Sequence, residues 1–180
     1  MKVAILHSGN TANMKGIMNF VHEKAYRMQN CEHDKIQVDL YCIRQEYTRL
    51  FSWFILGKRY KPSHVHASSE VIDGVTYNYI WTKYGLYDCF ISNKLFKHII
   101  SLRYFRKFDK ELKGYDVISS HNLDCHQIAL RIKTKYHIPV VCTWHGTDIH
   151  TMPFTKNGIF DITKGAIEHA DINFFVSKIS

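Results

Sequence analysis

The regular alternation between residues 115 and 177 constrains the fold most. "YDVISS" (115–120), "IPVVCTW" (138–144) and "INFFVS" (172–177) are short apolar runs rich in β-branched and aromatic residues, the signature of buried strands. Two stretches of helical length separate them, 122–136 with Ile128, Ala129, Leu130 and Ile132, and 157–170. Strands that are apolar throughout, rather than every second residue, are covered on both faces, which requires a parallel sheet with helices on either side. The N-terminal part reads the same way. "KVAILH" (2–7) predicts a strand, and Ile17, Phe20, Val21, Lys24, Ala25 and Met28 form one stripe of a helix from about 14 to 30. "IQVDLYCI" (36–43) predicts a second strand. "SSEVIDGVTYNYIW" predicts a hairpin around Asp73-Gly74, because both residues tolerate the positive φ of a tight turn. Residues 94–112 predict a basic amphipathic helix with Leu95, Ile99, Leu102, Phe105 or Arg106, and Phe108 near one side. The expected fold is therefore α/β: one Rossmann-like parallel sheet over residues 1–180, flanked by helices on both faces, with a β-hairpin insertion.

In such sheets ligands bind beyond the carboxyl ends of the strands. Three of these ends are polar. "HSGNTANMKG" (7–16) follows the first strand, and its N–H groups and helix start suit a phosphate, with Gly9, Asn10, Lys15 and Gly16 as candidate contacts. A tight turn needing Gly9, with Thr11 or Asn13 capping the helix, explains the same residues. "SHNLDCH" puts His121 at a strand end and Asn122 at a helix start, with Asp124 suited to the helix dipole and His126 on the helix body. "HGTDIH" places His145, Gly146 and Asp148 after "PVVCTW".

Composition excludes several classes. The net charge of +8 favours an anionic partner. No nucleic-acid motif accompanies it, so nucleic acid is not expected. The basic aromatic segments 49–61 and 94–112 suit either a solvated core helix or peripheral contact with an anionic membrane. The first ten residues do not read as a signal peptide, and no apolar run nears the roughly 18 residues of a membrane span, so a soluble cytoplasmic protein is expected. The five cysteines have no C-x-x-C spacing, and Cys42 and Cys142 sit in apolar runs as reduced thiols. His145, Asp148 and His150, with His121 or the "HVH" of 64–66, lack an established zinc spacing, and no metal is expected. There is no G-x-S-x-G elbow. "SGNT" resembles the phosphate loop of flavodoxins, which would imply a flavin-mononucleotide electron carrier; a non-catalytic sugar or nucleotide-binding module is a further alternative.

"YDVISSHNLDCHQIALRIKTKYHIPVVCTWHGTDIH" followed by "AIEHADINFFVS" resembles the N-terminal half of family 4 glycosyltransferases of the GT-B fold, and the hairpin "VIDGVTYNYIW" resembles the family in position and style. The resemblance implies the acceptor-side domain of a retaining glycosyltransferase of hexosyltransferase type. Such enzymes move a sugar from a nucleotide-sugar to a sugar or lipid-linked acceptor, and cell-surface polysaccharide or glycolipid synthesis is the expected setting. It implies a catalytic His145 contacting the transferred sugar, and donor or substrate contacts at Gly9, Asn10, Lys15, Gly16, His121, Asn122, Gly146 and Asp148. It implies no cofactor and no metal, the nucleotide-sugar being a substrate. The chain departs from the family in lacking a Gly-Gly pair after its first strand and in carrying no E-x7-E segment. A truncated piece without the donor-binding domain, inactive alone, is therefore expected.

Overall fold

The computed structural model describes residues 1–8, 16–31, 35–48, 50, 53, 67–84, 105–155 and 158–176. Seven strands form one sheet: β1 (Lys2–Ser8), β2 (Gln37–Tyr47), β3 (Ser69–Ile72), β4 (Val75–Tyr84), β5 (Val117–His121), β6 (Val140–Trp144) and β7 (Ile172–Phe175). Their spatial order is β3-β4-β2-β1-β5-β6-β7, and every neighbouring pair is parallel except the β3–β4 hairpin. Counting β4 as the third parallel strand, the order is the Rossmann 3-2-1-4-5-6, not the 2-1-3-4-5 of flavodoxins. The fold class read from the sequence is the observed one, and the flavodoxin alternative has no support from the strand order.

Two cores lie on the two faces. Helix α1 (Ile17–Gln29) buries Met18, Val21 and Ala25 against Val3, Ile5, Val38 and Leu40 on one face. Helices α2 (Leu123–Tyr136) and α4 (Ile159–His169) cover the other, where Ile128, Ala129 and Ile132 meet Ile118, Val140 and Trp144. Each large aliphatic side chain so buried stabilises the fold by about 1.5–3 kcal/mol. Residues 105–108 are helical and insert the fully buried Phe108 into this second core. The rest of the predicted 94–112 helix that precedes residue 105 lies outside the described residues, as do most of 49–61 and the "HVH" of 64–66.

Details differ from expectation for local reasons. Helix α1 starts at Ile17, not near 14, because its N-cap is Gly16 at φ 59°, ψ −115°. Thr11 and Asn13, the expected caps, lie outside the described residues, and Gly16 itself has no side chain to cap with. A Cβ on Gly16 would meet nothing within 4 Å, so backbone conformation rather than space demands glycine there. The hairpin turn follows expectation, with Asp73 at φ 46° and Gly74 at φ 82°. Strand β2 runs past its predicted end at 43 because Arg44 to Tyr47 continue the ladder with β4. After β6 the sequence reading missed a π-helical turn (Thr147–Thr151) and the short α3 (Met152–Thr155). These single turns are too short to show a periodicity.

The amino edge of the sheet is tied by aspartates standing just before strands. Asp116 accepts the Lys2 N–H through Oδ2 at 2.6 Å and donates its own N–H to the Lys2 carbonyl at 2.9 Å. Asp171 repeats the device, accepting the Val140 N–H at 2.7 Å and donating to the Val140 carbonyl at 3.0 Å, while Lys133 pairs with it at 2.8 Å. Each reciprocal pair satisfies strand ends that the ladder leaves open and sets the register of the next strand.

Trp144 joins β6 to its surroundings: it is fully buried, packs at 4.4 Å between ring centroids on His126, and donates Nε1–H to Asn173 at 2.9 Å. Replacing Trp144 with Ala is expected to cost about 3–5 kcal/mol, read as a lowered urea midpoint at unchanged slope.

Candidate active site

The parallel ladder brings the carboxyl ends of β1, β5 and β6 together at the point where the strand order reverses, with β1 between β2 and β5. In register, Ser119 stands beside Ile5 and Val141, and His121 beside Thr143. These residues face α1. His7, His121 and Thr143 therefore form a row of polar side chains along the sheet edge, each no more than 3% exposed. His7 Nδ1, His121 Nε2 and Thr143 Oγ1 have no hydrogen-bond partner among the described residues. Buried polar atoms are rarely left so, and such atoms concentrate at functional sites.

His145 begins the loop after β6 and lies half-buried against this row. Its Nε2 is 2.9 Å from Nδ1 of His121, and the two rings stack at 5.2 Å and 30°. Phe20, on α1, meets both rings edge-on at 5.9 and 5.5 Å. One turn further along α1, Lys24 donates to Ser119 Oγ at 2.7 Å. The i, i+4 spacing of Phe20 and Lys24 thus aims an aromatic ring and a cation at the same strand ends.

Backbone geometry shapes the loops. Gly146 (φ 71°, ψ −69°) is the centre of a γ-turn closed by Thr147 N–H on the His145 carbonyl at 2.7 Å. The same glycine's carbonyl then accepts from Ile149 and His150 at 3.0 and 2.7 Å. Buried Asp148 accepts the His145 main-chain N–H and leaves Oδ2 without a partner. Its carboxyl is pushed up by burial, opposed by that N–H, with the Asp124 carboxylate adding to the rise. Asn122, the N-cap of α2, sits at φ 73°, ψ 147°, a conformation that is nearly glycine-only and costs about 1–3 kcal/mol.

Burial keeps the histidines neutral. His7 is lowered to about 4, chiefly by desolvation, with the Asn122 side chain opposing and His145 adding. His121 is held well below its ordinary value by burial and then by the Lys24 charge. His145 is lowered by burial and then by Lys24. His126, bonded through Nδ1 to Ser120 Oγ at 2.7 Å, is lowered to about 3 by burial. Lys24 itself is lowered to about 8 by burial. The site thus sets neutral histidines beside one cation, Lys24, whose charge an anionic ligand would stabilise.

Of the residues expected from the sequence, the structure brings His121, Asn122, His145, Gly146 and Asp148 to one edge and places Gly16 at the start of α1. His121 has no exposed surface and stands behind His145. Gly9, Asn10 and Lys15 lie outside the described residues. The sequence reading missed His7, Phe20, Lys24 and Ser119 as site residues. Lys24 was visible as a charge within an otherwise apolar stripe. Among the described residues, no three His, Cys, Asp or Glu side chains are grouped to hold a metal ion, and no helix is long and apolar enough to cross a membrane. Beside the pair, a groove of about 1050 Å³ opens between α1 and the ends of β6 and β7, lined by Phe20, Lys24, Met28, Thr143, Phe174 and Val176. That is ample for a sugar or nucleotide.

The sequence profile of Glycosyltransferase Family 4 matches residues 70–179, more than half of the chain, from the hairpin to the end of the sheet. The chain belongs to glycosyltransferase family 4. His121, Asn122, His145 and Asp148 fall within the match, whereas His7, Phe20 and Lys24 precede it. No curated protein sequence matches the chain. Among solved structures, the apo form of the lipopolysaccharide outer core galactosyltransferase WaaB aligns at TM-score 0.52 and 12% identity, over 96% of this chain and 38% of its own. The UDP-GlcNAc 2-epimerase from Methanocaldococcus jannaschii aligns at TM-score 0.46 and 11% identity, over 99% of this chain and 40% of its own. The chain spans about two-fifths of the length of these structures. The first likeness shows the fold alone: the family 4 chain has the Rossmann-like sheet of one half of a GT-B enzyme.

The buried histidines set an acid limit. His7 and His126 bind protons less readily folded than unfolded, so the unfolded chain holds more protons between roughly pH 6.5 and 4. Stability is therefore full above that window and falls as pH drops through it, by about 1.4 kcal/mol per pH unit for each fully linked proton. Urea unfolding as a function of pH is expected to show a slope near pH 5 of about two protons or more, and His126→Gln is expected to remove about one.

Proposed function

We propose that this family 4 chain is the acceptor-side domain of a retaining glycosyltransferase of the hexosyl type. In this reading a nucleotide-sugar lies across the carboxyl edge of the sheet, and its sugar passes to a sugar or lipid-linked acceptor during polysaccharide or glycolipid synthesis. The observation that carries the reading is the His121–His145 pair at 2.9 Å, set at the strand-order reversal within the part of the chain that matches the family.

The chemistry follows from what transfer demands. The bond between the sugar's anomeric carbon and the diphosphate oxygen breaks, a bond to the acceptor hydroxyl oxygen forms on the same face, and that hydroxyl's proton leaves with the diphosphate. Positive charge develops on the sugar and negative charge on the leaving diphosphate. A neutral His145 beside the sugar adds no repulsion to the cationic centre and orients a hydroxyl by hydrogen bonding. Lys24, without a carboxylate partner among the described residues, and the start of α1 at Gly16 favour the anion. Gly9, Asn10 and Lys15 complete the phosphate side in this reading, with Asn122 and Asp148 shaping the loops around it. Neither metal nor cofactor takes part in this scheme.

The exposed Phe174, Phe175 and Val176 at the groove's mouth suit contact with a donor-binding domain that closes the cleft. The charge of +8 suits a cytoplasmic enzyme working at the face of an anionic membrane on lipid-linked substrates.

Transfer from a nucleotide-sugar, measured with the donor-binding half present, is expected to fall about 10²- to 10³-fold on replacing His145 with Ala, the usual loss for one preorganised donor. Unchanged transfer would remove His145 from the chemistry, whereas no transfer by the unsubstituted assembly would favour a non-catalytic sugar or nucleotide-binding module. The 180-residue chain alone is expected to show no turnover; robust transfer by it would refute the division between two domains.

A further inference from the structure

The histidine pair constrains the position of individual protons, and so decides what His145 offers to a ligand. Two neutral imidazoles carry two N–H groups on four nitrogens, and the 2.9 Å contact between His121 Nδ1 and His145 Nε2 requires one donor and one lone pair. There are two ways to arrange this. If His145 Nε2–H donates, His121 is protonated on Nε2, which is buried and has no partner among the described residues. That leaves an orphaned buried N–H. If His121 Nδ1–H donates, the unpartnered Nε2 carries only a lone pair. Orphaned buried N–H groups are the rarer of the two, because a lost donor bond is a large uncompensated desolvation cost.

We propose that His121 is a positioning residue that locks the tautomer of His145: His121 donates from Nδ1, His145 accepts at Nε2, and His145 therefore carries its proton on Nδ1. This rests on the reading that His145 is the residue the cleft presents to substrate. It makes His145 a hydrogen-bond donor to an oxygen ligand, a sugar hydroxyl or phosphate oxygen, and not a general base.

Three further contacts hold the arrangement. Phe20 packs edge-on against both rings, which fixes their planes without offering a competing acceptor. Lys24, tied to Ser119, keeps a positive charge beside the pair and so disfavours a second proton on either ring. The strained Asn122 follows His121 directly, so the backbone leaves β5 with the His121 ring held beneath the loop that carries His145.

The test uses the 180-residue chain labelled with ¹⁵N-histidine, since two-bond nitrogen–proton correlations report the tautomer of each ring without any turnover. His121 and His145 are both expected as Nδ1–H forms. His121→Asn, whose amide N–H₂ stands about where Nδ1–H does, is expected to keep His145 as the Nδ1–H form. His121→Leu offers no donor and is expected to raise the Nε2–H population of His145 several-fold. An Nε2–H His145 in the unsubstituted protein or in the Asn variant would overturn the proposal, as would an unchanged tautomer in a folded Leu variant. If the Leu variant does not fold, the other two spectra still decide. Absence of transferase activity would sink the functional reading and leave the tautomer result standing, and the reverse holds equally.

Discussion

The structure depends on the common direction of its strands. A parallel strand followed by a helix returns to the sheet with one handedness, so α1 lies on one face while α2 and α4 lie on the other. That change of face happens at β1, which has β2 on one side and β5 on the other. The carboxyl ends of the six parallel strands then share one edge, and the helices part above β1 and β5. His7 lies more than a hundred residues before His121 and His145, yet the three meet there for that reason alone. In an antiparallel arrangement of the same segments these histidines would be dispersed between two edges.

The two edges of the sheet differ in chemical character. At the amino edge, hydrogen-bonding groups find partners: Asp116 and Asp171 tie adjoining strands, and Tyr115 donates to Asp39 at 2.6 Å while sharing a 2.9 Å contact with Tyr41. At the carboxyl edge, buried nitrogen and oxygen atoms go unpartnered, Asn122 is strained, and a γ-turn is held open by one glycine. One edge carries stability, and the other stores the cost of readiness to bind. Such a division explains how a sheet of this size tolerates several uncharged buried histidines.

Much of this was legible in the sequence, and the limits are physical. Strands β5, β6 and β7 and helices α2 and α4 followed from apolar runs and helical stripes, because burial on two faces leaves a clear pattern there. The hairpin was legible because Asp73-Gly74 is one of the few dipeptides that fit its turn. His121 and His145 were legible as strand-end residues, but their hydrogen bond was not, since ring pairing depends on register and loop path. His7, Phe20 and Lys24 escaped notice as site residues because they look like strand and helix interior until the sheet order sets α1 over β5. The aspartates of "YDVI" and "ADINF" drew no attention in the sequence, and the geometry supplies their purpose as ties between strand ends.

The lateral edges of the sheet are also unequal. On one side the hairpin ends in β3, where Ser69, Glu70 and Val71 are exposed and Tyr79 donates its hydroxyl to Glu70 at 2.6 Å. On the other side β7 ends the sheet with Ile172, Phe174 and Phe175 half exposed. A polar, antiparallel border discourages further pairing, whereas an apolar parallel border leaves hydrogen-bonding groups and greasy surface side by side. The sheet therefore has a built-in direction of growth. Any added layer gains most by closing over β7, which is also the flank on which the groove opens.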